Sequence, residues 1–291
     1  MNQDYQHSRI DVDGVSAHFI EAGEGHPFVL LHGGGAGSCG ETSYGDVVGP
    51  LGETFHAIAL DNVGYGRTEA RGPEDYWGQA QARFLIRFIE TLDEGPVFVA
   101  GHSYGGFVSS YAALERPDLV ERLILIDSLG GTFPIRPTLE GRGYFSGPAG
   151  VEVNEPTLDG TREKLKRYYF HQDVITDERV ELRYEIASRN YEYAKRRSEV
   201  TGASLEAASK NRTYQDRHIA DWADQLEMPV LLTWSSMHSH IHWGIYYLTR
   251  NPNAEMHIFP WSGHPVQTDQ KDRWLEVVTG WLTNEPARRP D

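Results

Sequence analysis

The chain reads as an α/β protein: a mostly parallel, doubly wound sheet interrupted by an inserted, mainly helical lid. Three observations predict this. Short apolar runs at 27–32 (PFVLLH), 56–61 (HAIALD), 97–100 (VFVA), 122–127 (RLILID) and 229–234 (PVLLTW) have the length and composition of strands buried on both faces. Helical patterns alternate with them, as at 76–92, where Phe84, Leu85, Phe88 and Ile89 recur at helical spacing, so helices should cover both faces of the sheet. From 130 to about 213 no buried strand-like run occurs; a Gly/Pro-rich stretch is followed by polar, Tyr-rich helical sequence such as 177–197. The expected division is therefore a core formed by 1–130 and 214–291, with the lid at 131–213.

Each element has a local reason. Residues 8–19 alternate polar and apolar around Asp13-Gly14, which predicts an antiparallel hairpin at a sheet edge. The run at 27–32 ends in His32-Gly33-Gly34-Gly35-Ala36-Gly37, where backbone amides can face open space because few side chains obstruct them. The strand at 56–61 leads into the turn DNVGYGRT at 61–68. Beyond 213 follow the strand at 229–234, a helix at 243–250, a strand at 255–260 and a loop containing Gly263-His264. A closing helix at 271–282 has Trp274, Leu275, Val277, Val278 and Trp281 on one broad face, and the charged tail from Asn284 should fray.

Composition narrows the function. The 291 residues carry a net charge of -15, which argues against nucleic acid and anionic membrane surfaces as partners. Cys39 is the sole cysteine, so no intrachain disulfide can form and a reducing compartment is favoured. The polar N-terminus holds no apolar signal core and no run reaches membrane-spanning length, so a cytoplasmic location is expected.

The chemistry centres on VFVAGHSYGG at 97–106. Strand-forming residues run into Gly101-His102-Ser103-Tyr104-Gly105 and helix-compatible sequence follows, the context of a G-x-S-x-G nucleophile elbow. The glycines are needed because a Cβ two residues either side of the serine would collide with backbone in so tight a turn. Ser103 is the candidate nucleophile, and it needs a base because its free hydroxyl is scarcely ionised at neutral pH. His264, in a loop after the last strand, meets that need by chain order. The amides of Tyr104, at the start of the helix, and Gly34, in the glycine loop, are the candidate oxyanion donors.

With these motifs in place the chain resembles an α/β-hydrolase over nearly its full length. Within that superfamily HGGGAG at 32–37, DNVGYGRT at 61–68, GHSYGG at 101–106 and the segment 173–184 are similar to the hydrolases that cleave carbon-carbon bonds in ring-fission (meta-cleavage) products of aromatic degradation. The resemblance implies a cofactor-independent serine hydrolase acting on a small molecule, with a carbon-carbon bond next to a ketone, or a related ester or lactone, as target. It also implies a homodimer or larger homo-oligomer. Arg183 matches the lid arginine that holds the carboxylate end of the substrate, a task suited to its planar fork. Tyr184 and Tyr191 are expected to help orient the substrate.

The sequence departs from that family at several positions. The family's acid follows the PVLLTW strand, where this chain places His238, and a histidine cannot supply the negative charge that steadies a catalytic imidazole. Asp127, at the end of RLILID, is the candidate relocated acid; it could instead cap the following turn. Ser43 and His102 stand where asparagines are expected, and Pro265 stands where a tryptophan is usual, so all three, with His238, are candidate substrate contacts. His238, His240 and His242 alternate as metal ligands on a strand would, but no further ligand cluster accompanies them, and neither a metal nor another cofactor is expected. Two other readings remain open: a lyase, cyclase or cofactor-free oxygenase that needs His264 more than Ser103, and a ligand-binding protein on a hydrolase scaffold, which would need neither.

Overall fold

The computed structural model describes residues 4–76, 78–128, 153–199, 223–237 and 241–285. Eight strands form one sheet: β1 (Gln6–Val12), β2 (Val15–Ala22), β3 (His26–Leu31), β4 (Phe55–Leu60), β5 (Val97–His102), β6 (Val120–Ile126), β7 (Val230–Ser235) and β8 (Ala254–Phe259), in the order β1-β2-β4-β3-β5-β6-β7-β8. β1 pairs antiparallel with β2, and β2 antiparallel with β4; every other pairing is parallel. The expected edge hairpin is therefore present, and its two-residue turn places both Asp13 (φ 50) and Gly14 (φ 82) in the left-handed region.

The central strands are buried on both faces, and their side chains divide by period two. Val29, Leu31, Val99, Leu123 and Leu125 enter one core, whereas Phe28, Leu30, Phe98, Ala100, Ile124 and Ile126 enter the other. The first core is closed by α3 (Gly78–Leu92), through Phe84, Leu85, Phe88 and Ile89, and by α4 (Tyr104–Glu115), through Val108, Ala112 and Ala113. The second is closed by α1 (Gly40–Tyr44), α2 (Val48–Gly52) and α10 (Lys271–Thr283), which supply Tyr44, Val48, Leu51, Trp274, Val278 and Leu282. A one-residue slip of any central strand would exchange its two faces, so register is tightly specified, and with it the level at which each strand ends.

Between β6 and β7 lie α5 (Leu158–Tyr168), α6 (Asp177–Arg189) and a further helix, α7, over 191–199. The helical pattern expected at 177–197 is thus broken at Asn190, whose side-chain amide donates to Gly66 O at 3.2 Å and turns the chain. Residues 131–152 and 200–213 of the expected insertion lie outside the described residues, as do His238 and His240. α8 (Ile241–Arg250) places His242 on a helix rather than a strand, and α9 (Val266–Asp269) follows β8. Among the described residues no helix is long and apolar enough to cross a membrane.

Candidate active site

Ser103 sits between β5 and α4 with φ 52 and ψ -116, a backbone conformation that only a tightly built turn sustains. The glycines around it are required: a Cβ on Gly101 would lie 2.5 Å from Gly105 O, and one on Gly105 would lie 2.5 Å from His32 O. Ser103 N donates to Ile126 O at 2.9 Å and Ser128 Oγ donates to Ser103 O, so the turn is tied to the adjacent strand β6. Tyr104 is the first residue of α4, where backbone N–H groups have no partner inside the helix and the helix dipole favours negative charge. Two other non-glycine residues with positive φ lie at this same end of the sheet, Asp127 (φ 45) directly after β6 and Trp261 (φ 54) in the loop after β8. Each such conformation costs on the order of 1–3 kcal/mol, and three beyond the C-terminal ends of the parallel strands β5, β6 and β8 mark a functional edge.

The glycine loop folds over the serine. Buried His32 donates from Nδ1 to Gly33 O at 2.8 Å and accepts at Nε2 from Asn62 N at 3.1 Å, which fixes its tautomer and anchors the start of the loop. A Cβ on Gly33 would lie 3.5 Å from Ser103 Cβ and 3.2 Å from His102 Nδ1, and one on Gly34 would lie 2.9 Å from Tyr104 Cβ. The two candidate oxyanion positions, Gly34 and Tyr104, are therefore in contact. Further on, a Cβ on Gly37 (φ 76) would lie 2.7 Å from Arg183 Cγ, and Ser38 Oγ accepts from Arg183 Nη2 at 3.1 Å. The inserted helix α6 thus rests on the same loop.

His264 is held from two sides. Its amide donates to Tyr168 O at 2.9 Å, and its carbonyl accepts from His102 Nε2 at 3.2 Å, with the two imidazole centroids 4.6 Å apart. Because a carbonyl can only accept, His102 carries its proton on Nε2; burial pushes its pKa down to about 3, so the ring is neutral. His102, a candidate substrate contact, here joins the elbow to the His264 loop. Asp269 holds the same loop: Oδ2 accepts from Gly263 N at 2.5 Å and Phe170 N at 2.8 Å, and Oδ1 accepts from His171 N at 3.2 Å. Sequence reading missed Asp269, whose only signal is an acidic residue five positions after the histidine.

Asp127 differs from these well-bonded groups. It is 3% exposed; Oδ1 accepts from Ser235 N at 2.8 Å, while Oδ2 is buried and accepts no hydrogen bond from the described residues. Burial raises the carboxyl well above the usual range, the Ser235 amide opposes this only in part, and the nearby Asp269 carboxylate adds to the rise. Among the described residues no hydrogen bond or ion pair joins Asp127 to His264.

Cations gather at the far end of the loop. A Cβ on Gly35 would lie 3.6 Å from Arg183 Nη2 and 3.8 Å from Lys164 Nζ. Burial, then the neighbouring Arg183, lowers Lys164 to about 8. Arg197 of α7 is buried, its guanidinium 4.9 Å from the Tyr104 ring centroid and 5.1 Å from that of Tyr65, and burial brings it down to about 10. Neither Lys164 nor Arg197 stands out in the sequence from the other charges of its helix. Tyr184 and Tyr191 are half-buried on α6 and α7, and Ser43 is half-buried on α1, which touches both α6 and α9. Pro265 is buried and begins α9, accepting from Thr268 N and Asp269 N. His238 lies outside the described residues.

The chain is similar to known proteins over most of its length. The 2-hydroxy-6-oxononadienedioate/2-hydroxy-6-oxononatrienedioate hydrolase of Comamonas testosteroni is 26% identical over 273 residues, covering 92% of this chain and 91% of that protein. The 2-hydroxy-6-oxo-6-phenylhexa-2,4-dienoate hydrolase of Burkholderia cepacia is likewise 26% identical over 273 residues, with coverage of 92% and 91%. Among solved structures, the meta-cleavage product hydrolase of Pseudomonas fluorescens IP01 superposes with a TM-score of 0.78 at 21% identity, covering 97% of this chain and 98% of that one. The family model described as the alpha/beta hydrolase family matches residues 28–277, which include the glycine loop, the elbow and the His264 loop. The chain belongs to the alpha/beta hydrolase family.

Proposed function

We propose that the protein is a cofactor-independent serine hydrolase that cleaves a carbon-carbon bond beside a ketone in a 2-hydroxy-6-oxo-dienoate-type ring-fission product. One observation carries the reading: a single glycine loop touches Ser103 at Gly33 and the Arg183 guanidinium at Gly35. An acid with a carboxylate at one end and a ketone farther along its chain suits a nucleophile and a guanidinium gathered on one loop, and the relatives are named for 2-hydroxy-6-oxo acids.

The roles follow from the chemistry. His264 first moves a proton from the 2-hydroxyl to carbon 5, giving a ketone that can accept the electrons of the breaking bond. Ser103 then attacks carbon 6 while His264 takes its proton, and the oxyanion is held by the Gly34 and Tyr104 amides. The bond between carbons 5 and 6 breaks, its electrons pass from carbon 5 along the conjugated chain to the oxygen on carbon 2, His264 returns the proton to that oxygen, and water releases the acyl group as a second acid. Asp127 supplies the charge that steadies the imidazolium; that its Oδ2 is buried with no hydrogen-bond partner among the described residues supports that role, because a cation formed at His264 would be such a partner. The test is turnover of a 2-hydroxy-6-oxo-6-phenyl dienoate and a short aryl ester by wild type, Ser103→Ala and His264→Ala. Wild type should prefer the dienoate, and both variants should lose at least about 10³-fold in kcat. A wild type inert to both, or a fully active Ser103→Ala, would refute the reading.

A further inference from the structure

Exposed Arg167 apart, the cations of α5 and α6 fall into two groups. Arg162, Lys166, Arg179 and Arg189 each meet a carboxylate: Asp177 at 2.5 Å, Glu163 at 2.7 Å, Asp46 at 2.5 Å and Glu69 at 3.7 Å. Lys164 and Arg183 do not. Lys164 makes no hydrogen bond or ion pair among the described residues, and Arg183 bonds Ser38 Oγ through Nη2 while its Nε is buried with no partner. Both point at Gly35, two residues along the loop from the contact with Ser103. Two half-buried cations side by side repel and lose hydration, and among the described residues no carboxylate meets either of them: Lys164 Nζ has only the face of the Tyr168 ring, 6.0 Å from its centroid, and Arg183 only Ser38 Oγ. An anionic ligand would.

Building on the hydrolase reading, we propose that Lys164 is a specificity-determining residue: Arg183 takes the substrate carboxylate, and Lys164 takes the oxygen on the adjacent carbon 2, so the site selects 2-oxygenated acids over plain carboxylic acids. The division follows from the side chains. The guanidinium is a planar fork matched to a carboxylate, whereas the ammonium is a point donor that suits one neighbouring oxygen. A single cation would bind any carboxylate; the second adds a reading of what lies beside it. The acids named for the relatives carry a hydroxyl at that carbon. Lys164 does not touch the reacting carbon and acts on binding, not on bond cleavage.

The experiment measures binding without turnover. Dissociation constants of phenylbutanoate and its 2-oxo derivative are determined calorimetrically for wild type, Lys164→Met, Lys164→Arg and Arg183→Gln. Wild type should bind the 2-oxo acid about tenfold more tightly than the plain acid, the difference expected of one charge-assisted hydrogen bond. Lys164→Met should abolish that ratio while leaving the plain acid within about twofold, Lys164→Arg should restore part of it, and Arg183→Gln should weaken both acids about tenfold. An unchanged ratio in Lys164→Met, equal weakening of both acids by it, or no binding of either acid to wild type would overturn the proposal. Failure of the hydrolase reading is separate: it would appear as intact binding ratios in a protein that does not turn over the dienoate.

Discussion

Two buried aspartates occupy equivalent places in the fold and have opposite surroundings. Asp61 follows β4 and is 0% exposed; Asp127 follows β6 and is 3% exposed. Asp61 accepts from His18 Nδ1 at 2.8 Å, Gly40 N at 2.7 Å and Arg67 N at 2.7 Å. Burial alone would raise its carboxyl, but the His18 hydrogen bond and charge, His32 and the Arg67 amide overcome that and hold it below its ordinary value. Asp127 has one amide, from Ser235, and burial prevails. The difference separates two uses of the same residue. Asp61 has spent its acceptor capacity on binding the edge hairpin, α1 and the turn at 61–68 together. Asp127 keeps one oxygen without a hydrogen bond from the described residues, at the edge of the sheet where the strained serine lies, and such a buried carboxylate stabilises a positive charge only when one forms.

The largest expected effect tests that contrast at Asp127. Asp127→Asn keeps the acceptor for Ser235 N and tolerates positive φ, so it removes charge and little else. Turnover of the dienoate should fall about 10³- to 10⁴-fold, as when the orienting acid of a serine triad is neutralised. Activity within threefold of wild type would make Asp127 a turn cap. The next effect falls on stability. Asp61→Ala strips three donors of their acceptor and should destabilise the fold by about 3–5 kcal/mol in urea denaturation, with kcat of the folded fraction nearly unchanged. A loss under about 1 kcal/mol would show that the Asp61 network holds little together.

What is legible in the sequence tracks how local each feature is. Strands declare themselves because burial on both faces demands a continuous apolar run: 122–127 is read as a strand, and the structure places it at Val120–Ile126, with Asp127 leaving the ladder at positive φ. The Ser103 turn is legible because its glycines lie within two residues of it. α1 is not, because its cap is Cys39, whose Sγ accepts from Thr42 N at 3.3 Å, in place of the usual Ser, Thr, Asp or Asn. The break at Asn190 depends on Gly66, the clamp at Asp269 on Phe170 and His171, and the exposure of Lys164 to Gly35 on the docking of α5. Each is a long-range contact that periodicity and composition do not carry. Arg183 is legible only through resemblance, since on α6 it is one charge among many.

The smallest effect gives the comparison a pH axis. The folded-state pKa of Asp127 is raised above its ordinary 3.8, so its contribution to stability is fully present below that value and is lost as pH rises through the folded pKa. Asp127→Asn cannot ionise and does not suffer this loss. The melting temperature of the variant should therefore match wild type near pH 4 and exceed it by a few degrees at higher pH, the scale of an unpaired buried charge partly relieved by one amide. The shift for Asp61 runs the other way. Its folded pKa is depressed, so its stabilisation is present above the unfolded value and disappears as pH falls through the folded one. Asp61→Asn should cost most at neutral pH and least in acid. If both variants showed the same pH slope, the two carboxylates would be in equivalent electrostatic environments, and the case for Asp127 as a charge held for His264 would fail even if its substitution reduced turnover.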